Sequence, residues 1–381
     1  MNASEVSRAE ARIDLGAVER NCAHLADVAG DAALCAVVKA DGYGHGAAEC
    51  AAAAIRGGAS WLAVASGPEA FALRQAQPDP PILTMGALTP EELDVALEAR
   101  SDVAVWRAEF LELVAARGAA LGLRPRVHVK FDSGMGRLGE RDPRAVGRLA
   151  GAAAVDDRIE LVGLWTHLAT ADEPGSSFFD EQLERFDELT RAVRADHPGV
   201  MLHAANSAAT LRDPASHFDL VRCGIAVYGL DPFHEDPAAR SLEPALELRS
   251  YVATVKRFER GASAGYGRVW RAPEDRWVGV LPIGYGDGVR RALTNNGEVL
   301  VAGRRYAIVG TVSMDNITID LGPETEIAPG EPAVLIGEQA GERILCEEVA
   351  RRLATINYEV TCGISPRVPR SYPEASRSEA R

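Results

Sequence analysis

A single lysine, Lys39, closes an apolar run and is followed at once by glycines and a tyrosine, in the stretch AVVKADGYGHGA. An amine that a strand delivers to such an open loop can act as a nucleophile, with the glycines leaving room for a bulky group. The alternative is an ordinary solvated lysine at a strand end, and this stretch alone does not decide between the two.

Other reactive side chains stand at the ends of further apolar runs. They are Lys130 in RVHVKF, His167 in LVGLWTH, Asn206 and Ser207 after VMLHAA, and Arg222 ahead of Gly224 and Ile225 in LVRCGIAVYG. Each alone is compatible with packing, but a buried lysine is costly unless it is paired or its pKa is shifted. Together with the serine–glycine pair, these side chains predict a pocket for pyridoxal phosphate, held by a lysine and by backbone amides.

The elements that must position these residues follow from the apolar pattern. Eight apolar runs between Leu34 and Gly229 alternate with alanine- and leucine-rich helical stretches, and a further helix precedes them. Near-continuous apolar strands between amphipathic helices indicate a parallel sheet covered on both faces, and eight of them favour a (β/α)8 barrel over an open sheet. Because reacting groups in such barrels lie at the carboxyl ends of the strands, these side chains should meet at one rim. The predicted cofactor-binding barrel spans residues 13–240.

The character of the chain changes near Leu242. Helical periodicity disappears, and β-branched runs are separated by turn signals such as Asn295-Asn296-Gly297. This pattern predicts a C-terminal all-β domain at 241–381, interrupted by one helical stretch, CEEVARRLAT. Roughly the first 12 residues are a candidate to pair with it. The predicted fold class is therefore α/β, a TIM-type barrel followed by a second, all-β domain.

Composition limits the classes of partner. The chain has 381 residues and a formal net charge of -14, with no run of basic residues, which argues against nucleic acid. No apolar segment approaches the roughly 20 residues of a membrane span, and the polar amino terminus does not resemble a secretory signal, so a cytoplasmic protein is expected. Six scattered cysteines are expected to be reduced, and we expect no metal site.

Nine motifs occur in order from about Ile13 to Tyr372. They are VVKADGYGHG, DSGMGRLG, THLATAD, HAANSAA, VRCGIAVYG, GYGRVW, LPIGYGDGVRR, GTVSMDN and INYEVTCGISPRVPR. This ordered set resembles bacterial alanine racemase, a barrel-fold pyridoxal phosphate enzyme. The resemblance implies interconversion of L- and D-alanine by a two-base mechanism through a pyridoxal phosphate aldimine, supplying D-alanine for peptidoglycan.

The resemblance also implies a role for each matched residue. Lys39 carries the cofactor and is one of the two bases, and Tyr266 is the other. The residues expected to hold the cofactor are Lys39, Tyr43, His167, Asn206, Ser207, Arg222, Gly224, Ile225 and Tyr358. Arg222 faces the pyridine nitrogen, where a permanently charged guanidinium weakens the electron sink and so suppresses transamination.

The resemblance also implies which residues contact the substrate and how the protein assembles. Arg137 binds the alanine carboxylate, Met314 lies beside the substrate, and Tyr285 lines the entrance. Lys130 is expected as a carbamate that holds Arg137 in place. The enzyme is expected to be a homodimer in which each barrel receives Tyr266 and Met314 from its partner.

The sequence departs from the family pattern at two positions, and it leaves three alternative functions open. Cys223 stands where the family usually has proline, and Ser313 stands where a cysteine often precedes Met314. The alternatives are a broad-specificity amino-acid racemase, a barrel-fold pyridoxal phosphate decarboxylase and a non-catalytic protein that binds pyridoxal phosphate for homeostasis. Arg137 argues against the decarboxylase because it would clamp the carboxylate, and Tyr266 has no use in a binding protein.

Overall fold

The structure is a computed structural model, and it describes residues 7–373. It contains two compact units: residues 18–227, and the residues up to Ala17 together with those from Tyr228 onward. The parts of the predicted second domain at 1–6 and 374–381 lie outside the described residues.

The elements up to residue 227 alternate between strand and helix. The strands are β1 (Glu10–Ile13), β2 (Ala33–Val37), β3 (Trp61–Val64), β4 (Ile82–Thr84), β5 (Asp102–Val105), β6 (Arg126–Lys130), β7 (Glu160–Trp165), β8 (Met201–His203) and β9 (Leu220–Cys223). The helices are α1 (Leu15–Ala29), α2 (Lys39–Tyr43), α3 (Ala47–Arg56), α4 (Gly67–Ala76), α5 (Pro90–Glu98), α6 (Ala108–Ala120), α7 (Pro143–Val155), α8 (Ser177–Asp196) and α9 (Ser207–Arg212).

Strands β2–β9 form the predicted parallel barrel. Their order in the sheet is β8-β7-β6-β5-β4-β3-β2-β9. The two ends meet through backbone hydrogen bonds, from the Asp219 amide to the Leu202 carbonyl (2.9 Å) and from the Arg222 amide to the Ala205 carbonyl (3.0 Å). The strands are almost entirely buried, as expected where helices cover the outside and side chains fill the inside. The predicted eight-stranded barrel is confirmed.

Local sequence signals explain where two of the covering helices begin. Ser66 and Glu69 form a reciprocal capping box at the start of α4, and Thr89 and Glu92 form another at the start of α5. In both, the hydroxyl accepts from the backbone amide three residues on, while the glutamate accepts from the backbone amide of the capping residue. These caps fix the loops that follow β3 and β4.

The remaining elements belong to the other unit. Its strands after β1 are β10 (Leu246–Tyr251), β11 (Thr254–Phe258), β12 (Ser263–Ala264), β13 (Trp270–Arg271), β14 (Arg276–Leu281), β15 (Glu298–Val301), β16 (Arg304–Ala307), β17 (Ile317–Gly322), β18 (Pro332–Gln339), β19 (Glu342–Ile344) and β20 (Arg370–Ser371). Its helices are α10 (Cys346–Arg352) and α11 (Asn357–Cys362). Short 3₁₀ turns in the chain are at Pro214–Ser216, Ile225–Tyr228, Pro237–Arg240, Tyr266–Arg268 and Arg291–Leu293.

The predicted all-β domain is confirmed, with one addition. Its main sheet has the order β16-β15-β18-β10-β1-β20, and β19 pairs with β18. Strand β1 lies antiparallel to β10 and parallel to β20, so residues 10–13 are part of this sheet. The sequence predicted one helix here, but α11 is a second helix, formed by residues 357–362 of INYEVTCG.

The contact-based division of the chain falls after Val227, whereas the sequence placed the boundary after residue 240. Hydrogen bonds within the second unit account for the difference. The Asp231 amide donates to Glu347 Oε1 (3.0 Å), and Asn357 Nδ2 donates to the Asp231 carbonyl (2.8 Å). Residues 228–240 are thus bonded to α10 and α11, which no local sequence signal indicates.

None of the helices within residues 7–373 combines the length and hydrophobicity that a bilayer-spanning segment requires. None of the six cysteines, which all lie in the described part of the chain, forms a disulfide; Cys362 is exposed and the other five are buried.

Candidate active site

Lys39 lies two residues beyond the end of β2, at the start of α2, which is a turn of left-handed backbone. Positive φ angles of 52°, 51°, 61°, 53° and 85° occur in sequence at Ala40, Asp41, Gly42, Tyr43 and Gly44. A non-glycine residue in this region costs about 1–2 kcal/mol, so the surrounding structure must hold the turn in place. The half-buried Lys39 is therefore presented by a strained segment.

Two acidic side chains hold this turn. Glu69 Oε1 accepts a hydrogen bond from the Ala40 amide (2.8 Å), and Asp41 Oδ1 accepts one from the Ala47 amide (2.9 Å). Glu69 is also the carboxylate of the capping box at α4. The sequence analysis did not single out Glu69. Its capping motif, SGPE, identifies the start of a helix but does not indicate that Glu69 also accepts a hydrogen bond from the Ala40 amide in the Lys39 turn.

The Lys39 turn meets the loop after β9 through Tyr43. A Cβ atom added to Gly224 would lie 2.3 Å from the Tyr43 hydroxyl, so only glycine fits at this position. Ser207 Oγ accepts from the Gly224 amide (2.9 Å), and Asn206 Oδ1 accepts from the Ala209 amide (2.9 Å) at the start of α9. Tyr43, Asn206, Ser207, Gly224 and Ile225 thus lie near one another at one rim of the barrel.

Arg222 is buried beneath this rim, with 3% of its surface exposed. Its Nη1 donates to His203 Nδ1 (3.0 Å), and its Nη2 donates to the carbonyls of Thr166 (2.9 Å) and Ala204 (3.0 Å). His167 Nδ1 lies 3.4 Å from the same Nη2. Burial lowers the pKa of Arg222 to about 10 and, with the nearby arginine charge, lowers the pKa of His167 well below its usual value. At neutral pH the guanidinium is charged and His167 is neutral.

A chain of hydrogen bonds continues from Arg222 through the barrel interior. His203 Nε2 lies 2.8 Å from His128 Nδ1, and His128 Nε2 lies 3.1 Å from Asp102 Oδ2. A carboxylate only accepts and a guanidinium only donates, so both imidazoles must be neutral and every bond must point from Arg222 towards Asp102. An added Cβ on Gly163 would lie 2.2 Å from His128 Nδ1, so this glycine makes room for the chain.

The sequence analysis missed His128, Asp102 and the role of His203. Asp102 begins β5 at the opposite end of the barrel, where Arg126 Nε donates to it (2.9 Å). His128 and Lys130 are two residues apart on β6, so they share the inner face of the barrel. The signal that could have identified this series of hydrogen bonds was His128, a polar residue at an inward position of an otherwise apolar strand.

Lys130 ends β6 and is buried against Trp165, with Nζ 4.0 Å from the centre of the indole ring. The guanidinium carbon of Arg222 lies 4.8 Å from the centre of the same ring. The Lys130 amine and the Arg222 guanidinium therefore both lie against the Trp165 side chain.

Positive charges outnumber negative charges around Lys130. Burial, followed by the charges of Arg222, Arg137 and Lys39, lowers the pKa of Lys130 to about 7, and the nearby carboxylate of Asp132 only partly opposes them. Arg137 itself is exposed in the described chain. A cavity rim with this excess of positive charge attracts an anionic group such as a phosphate or carboxylate.

The loops that carry Arg137 and His167 are tied together below the rim. Asp132 Oδ1 accepts from the amides of Gly134 (3.1 Å) and Gly136 (3.0 Å), which closes the DSGMGR loop. Gln182 on α8 donates to Ser133 Oγ (3.2 Å) and to the His167 carbonyl (3.3 Å). Gln182 was also missed, because it reads as a polar residue on an ordinary surface helix.

The four remaining predicted residues lie in the other unit. Tyr266 is 74% exposed, Met314 51% and Tyr285 42%, whereas Tyr358 is half-buried. The Tyr358 ring lies 6.4 Å from that of His234. Among the residues from 7 to 373, no grouping of three or more histidine, cysteine, aspartate or glutamate side chains is arranged to hold a metal ion.

Sequence profiles decide the family. The profile described as "Alanine racemase, N-terminal domain" matches residues 13–232, and "Alanine racemase, C-terminal domain" matches residues 245–372. The chain belongs to the alanine racemase family. Its members are isomerases that depend on pyridoxal phosphate.

Individual alanine racemases match over nearly their whole length. That of Symbiobacterium thermophilum is 42% identical, covering 95% of this chain and 96% of the relative, and alanine racemase 1 of Bacillus subtilis is 41% identical, covering 96% and 92%. The solved alanine racemase of Streptomyces coelicolor has a TM-score of 0.92 at 41% identity, covering 97% of this chain and 99% of that one.

The residues of this alanine racemase family member fit pyridoxal phosphate. Lys39 carries the amine that an aldehyde requires, and Ser207 and Tyr43 supply hydroxyl groups of the kind that bind a phosphate. Arg222 offers a fixed cation for the ring nitrogen. The fit rests on the chemistry of these side chains.

The two departures from the family pattern are accommodated locally. Cys223 is buried, and its Sγ donates to Thr210 Oγ1 (3.5 Å). Ser313 Oγ donates to the Asn316 carbonyl (2.8 Å) and accepts from the Asn316 amide (3.1 Å). Each of the two side chains therefore has a hydrogen-bond partner close by in the structure.

Proposed function

We propose that this chain interconverts L-alanine and D-alanine with pyridoxal phosphate bound at the mouth of the barrel. The observation that carries the proposal is the meeting of the Lys39 turn with the Gly224 loop above the buried Arg222. The solved alanine racemase of Bacillus anthracis, with 37% identity and a TM-score of 0.88, is described with bound L-Ala-P. Supply of D-alanine for peptidoglycan in the cytoplasm is part of the proposal.

The cofactor roles follow from the side chains at the rim. Lys39 attaches the cofactor, and Tyr43, Ser207, the amides of Gly224 and Ile225, and Tyr358 hold its phosphate. Asn206 caps α9 beside the phosphate, His167 flanks the ring, and Arg222 faces the ring nitrogen. When bound, pyridoxal phosphate withdraws electrons and so acidifies the α-proton of alanine. We assign the barrel unit, residues 18–227, as the part that binds the cofactor, which is narrower than the 13–240 expected from the sequence, and the other unit as the part that completes the site.

Racemisation requires a proton to leave one face of the α-carbon and another to arrive on the opposite face, so two acid–base groups must flank that carbon. Lys39 is the group on one face, and Tyr266 is the group on the other. Arg137 binds the alanine carboxylate, Met314 lies beside the substrate, and Tyr285 lines the entrance.

We propose a homodimer in which each barrel receives Tyr266 and Met314 from its partner. A partner can reach these two side chains only if they are exposed on their own unit. Tyr266 and Met314 are 74% and 51% exposed. A shared site makes the interface obligate, with an expected total area beyond about 2,000 Å².

Lys130 is proposed as a carbamate that holds Arg137. Burial and the neighbouring positive charges lower the pKa of Lys130 to about 7, which favours the neutral amine, the form that attacks carbon dioxide. The ammonium form would repel Arg137, whereas a carbamate would accept its hydrogen bonds.

Replacing Lys130 with alanine is expected to raise the KM for alanine, because Arg137 loses its partner. Small anions such as chloride should restore part of the affinity by occupying the vacated position. KM is measured with and without added chloride, and intact-protein mass spectrometry tests the wild type for the added carboxyl group. Unchanged KM in chloride-free buffer would contradict a role for Lys130 in holding Arg137.

The experiment that tests the function is incubation of the purified, cofactor-loaded protein with L-alanine in deuterated water. A racemase inverts the α-carbon and introduces deuterium, a decarboxylase releases carbon dioxide, and a binding protein does neither. Assays with other L-amino acids distinguish a broad-specificity racemase. Borohydride should abolish the visible absorbance, and mass spectrometry should locate the cofactor on Lys39; label on another lysine would contradict the assignment.

A further inference from the structure

Two loops of the second unit present Tyr285 and Met314 as one body. The Tyr285 amide donates to the Ser313 carbonyl (2.9 Å), and the Gly286 amide donates to the Met314 carbonyl (2.9 Å). A Cβ atom on Gly284 would lie 2.2 Å from the Ser313 carbonyl oxygen, so the loops approach as closely as glycine allows. A shift of either loop must therefore move both exposed side chains.

Four charged residues bridge these loops to the terminal segments of the unit. Arg8 Nη2 lies 2.9 Å from Asp287 Oδ1 and 3.3 Å from Asp315 Oδ1, and it donates to both. Arg367 Nη2 donates to Asp315 Oδ1 (2.6 Å), and its Nε lies 3.5 Å from Asp287 Oδ1. Each arginine therefore spans the two loops, since Asp287 belongs to the first loop and Asp315 to the second.

Burial makes this pairing obligatory for Asp287, whose side chain is 1% exposed. A buried carboxylate must be paired and hydrogen-bonded, and Asp287 Oδ2 also accepts from the Gly284 amide (2.9 Å). The Ser365 amide donates to the Asp287 carbonyl (3.0 Å). The loop geometry thus depends on charges supplied from the two ends of the described chain.

The terminal segments are themselves fixed by the main sheet. Arg8 lies two residues before β1, which pairs with β10, and Arg367 lies shortly before β20, which pairs with β1. A Cβ atom on Gly286 would lie 2.2 Å from Arg367 Nη1, so the guanidinium is seated directly on the first loop.

We propose that Arg8, Arg367, Asp287 and Asp315 form an electrostatic clamp that positions Met314 and Tyr285 for substrate binding. The four are positioning residues, which act through the two loops. This inference rests on the proposed function, because it takes Met314 and Tyr285 as the side chains that reach alanine. It assigns the segment before β1 a part in substrate affinity.

The test is Arg8→Met in the cofactor-loaded enzyme, since methionine keeps part of the aliphatic stem and removes the charge. We expect the KM for alanine to rise about 3- to 10-fold while kcat changes less than about twofold, because the chemical groups remain in place. Arg8→Lys should recover only part of the affinity, since a single ammonium does not reproduce the planar fork that spans two carboxylates. Arg257→Met is the matched control. It removes an exposed arginine 3.0 Å from Asp275 in the same unit and should leave both constants unchanged.

A double-mutant cycle with Asp315→Asn separates the clamp from a general loss of stability. Asp315 is about half exposed, so its neutral isostere should fold. If Arg8 and Asp315 act through one clamp, the two substitutions raise KM less together than the product of their separate effects. Wild-type KM in Arg8→Met, or fully multiplicative effects in the cycle, would overturn the clamp. Absence of racemase activity in the wild type would overturn the proposed function instead.

Discussion

A mixture of Lys39→Ala and Tyr266→Ala protomers, each inactive alone, is expected to recover roughly a quarter of wild-type activity once subunits exchange. Lys39 belongs to the barrel and Tyr266 to the other unit, where its side chain is 74% exposed. If each site takes Tyr266 from the partner, a mixed dimer contains one site that lacks both groups and one that is intact. About half of randomly paired dimers are mixed, and half of their sites work.

The reciprocal mixture is the matched control. Wild type combined in equal amounts with the double variant Lys39→Ala/Tyr266→Ala should retain roughly a quarter of the activity of an all-wild-type sample, because every site of a mixed dimer is then broken. If each chain builds its own site, this mixture retains about half, and the first mixture stays inactive. The two mixtures should therefore be about equally active if sites are shared, whereas only the second should be active if each chain builds its own site.

Tyr266→Phe is expected to lower kcat by about 10²–10⁴-fold, the usual cost of removing a positioned acid–base group. The ring remains, so packing around it changes little. Exchange of the α-proton with deuterated solvent should persist for one alanine enantiomer, whose proton Lys39 removes, and should fall for the other.

Tyr251→Phe is the control for this experiment. Tyr251 ends β10, is 39% exposed and has no proposed role, so loss of its hydroxyl should leave kcat unchanged. Equal loss of exchange for both enantiomers in Tyr266→Phe would contradict a mechanism with two separate bases.

The sequence predicted the barrel well because its strands are buried on both faces. Each of the eight apolar runs contains one of the strands β2–β9, and the polar residues that end or follow them lie at one rim, as the topology requires. The pattern of apolar runs alone therefore indicates where Lys130, Arg222 and Ser207 lie relative to the strands.

The features that the sequence did not predict depend on tertiary structure. Nothing in the letters KADGYG indicates that Ala40 and Asp41 adopt left-handed backbone, because that conformation is held by Glu69 from a distant helix. Helix α11 is short and begins in a β-branched and aromatic stretch, so its local propensity favours strand. His128 was overlooked because a histidine between two valines reads as an ordinary core residue.

The series of hydrogen bonds that runs from Arg222 through His203 and His128 to Asp102 has a consequence for engineering this protein. A barrel core is normally the first place where apolar substitutions raise thermal stability, since neutral imidazoles and a buried carboxylate can be replaced by aliphatic side chains of similar volume. Here such replacements would remove the support of the one guanidinium proposed to face the ring nitrogen. Selection for heat resistance alone would thus favour variants that fold better and turn over less, and stabilising changes are better sought on the helices outside the barrel.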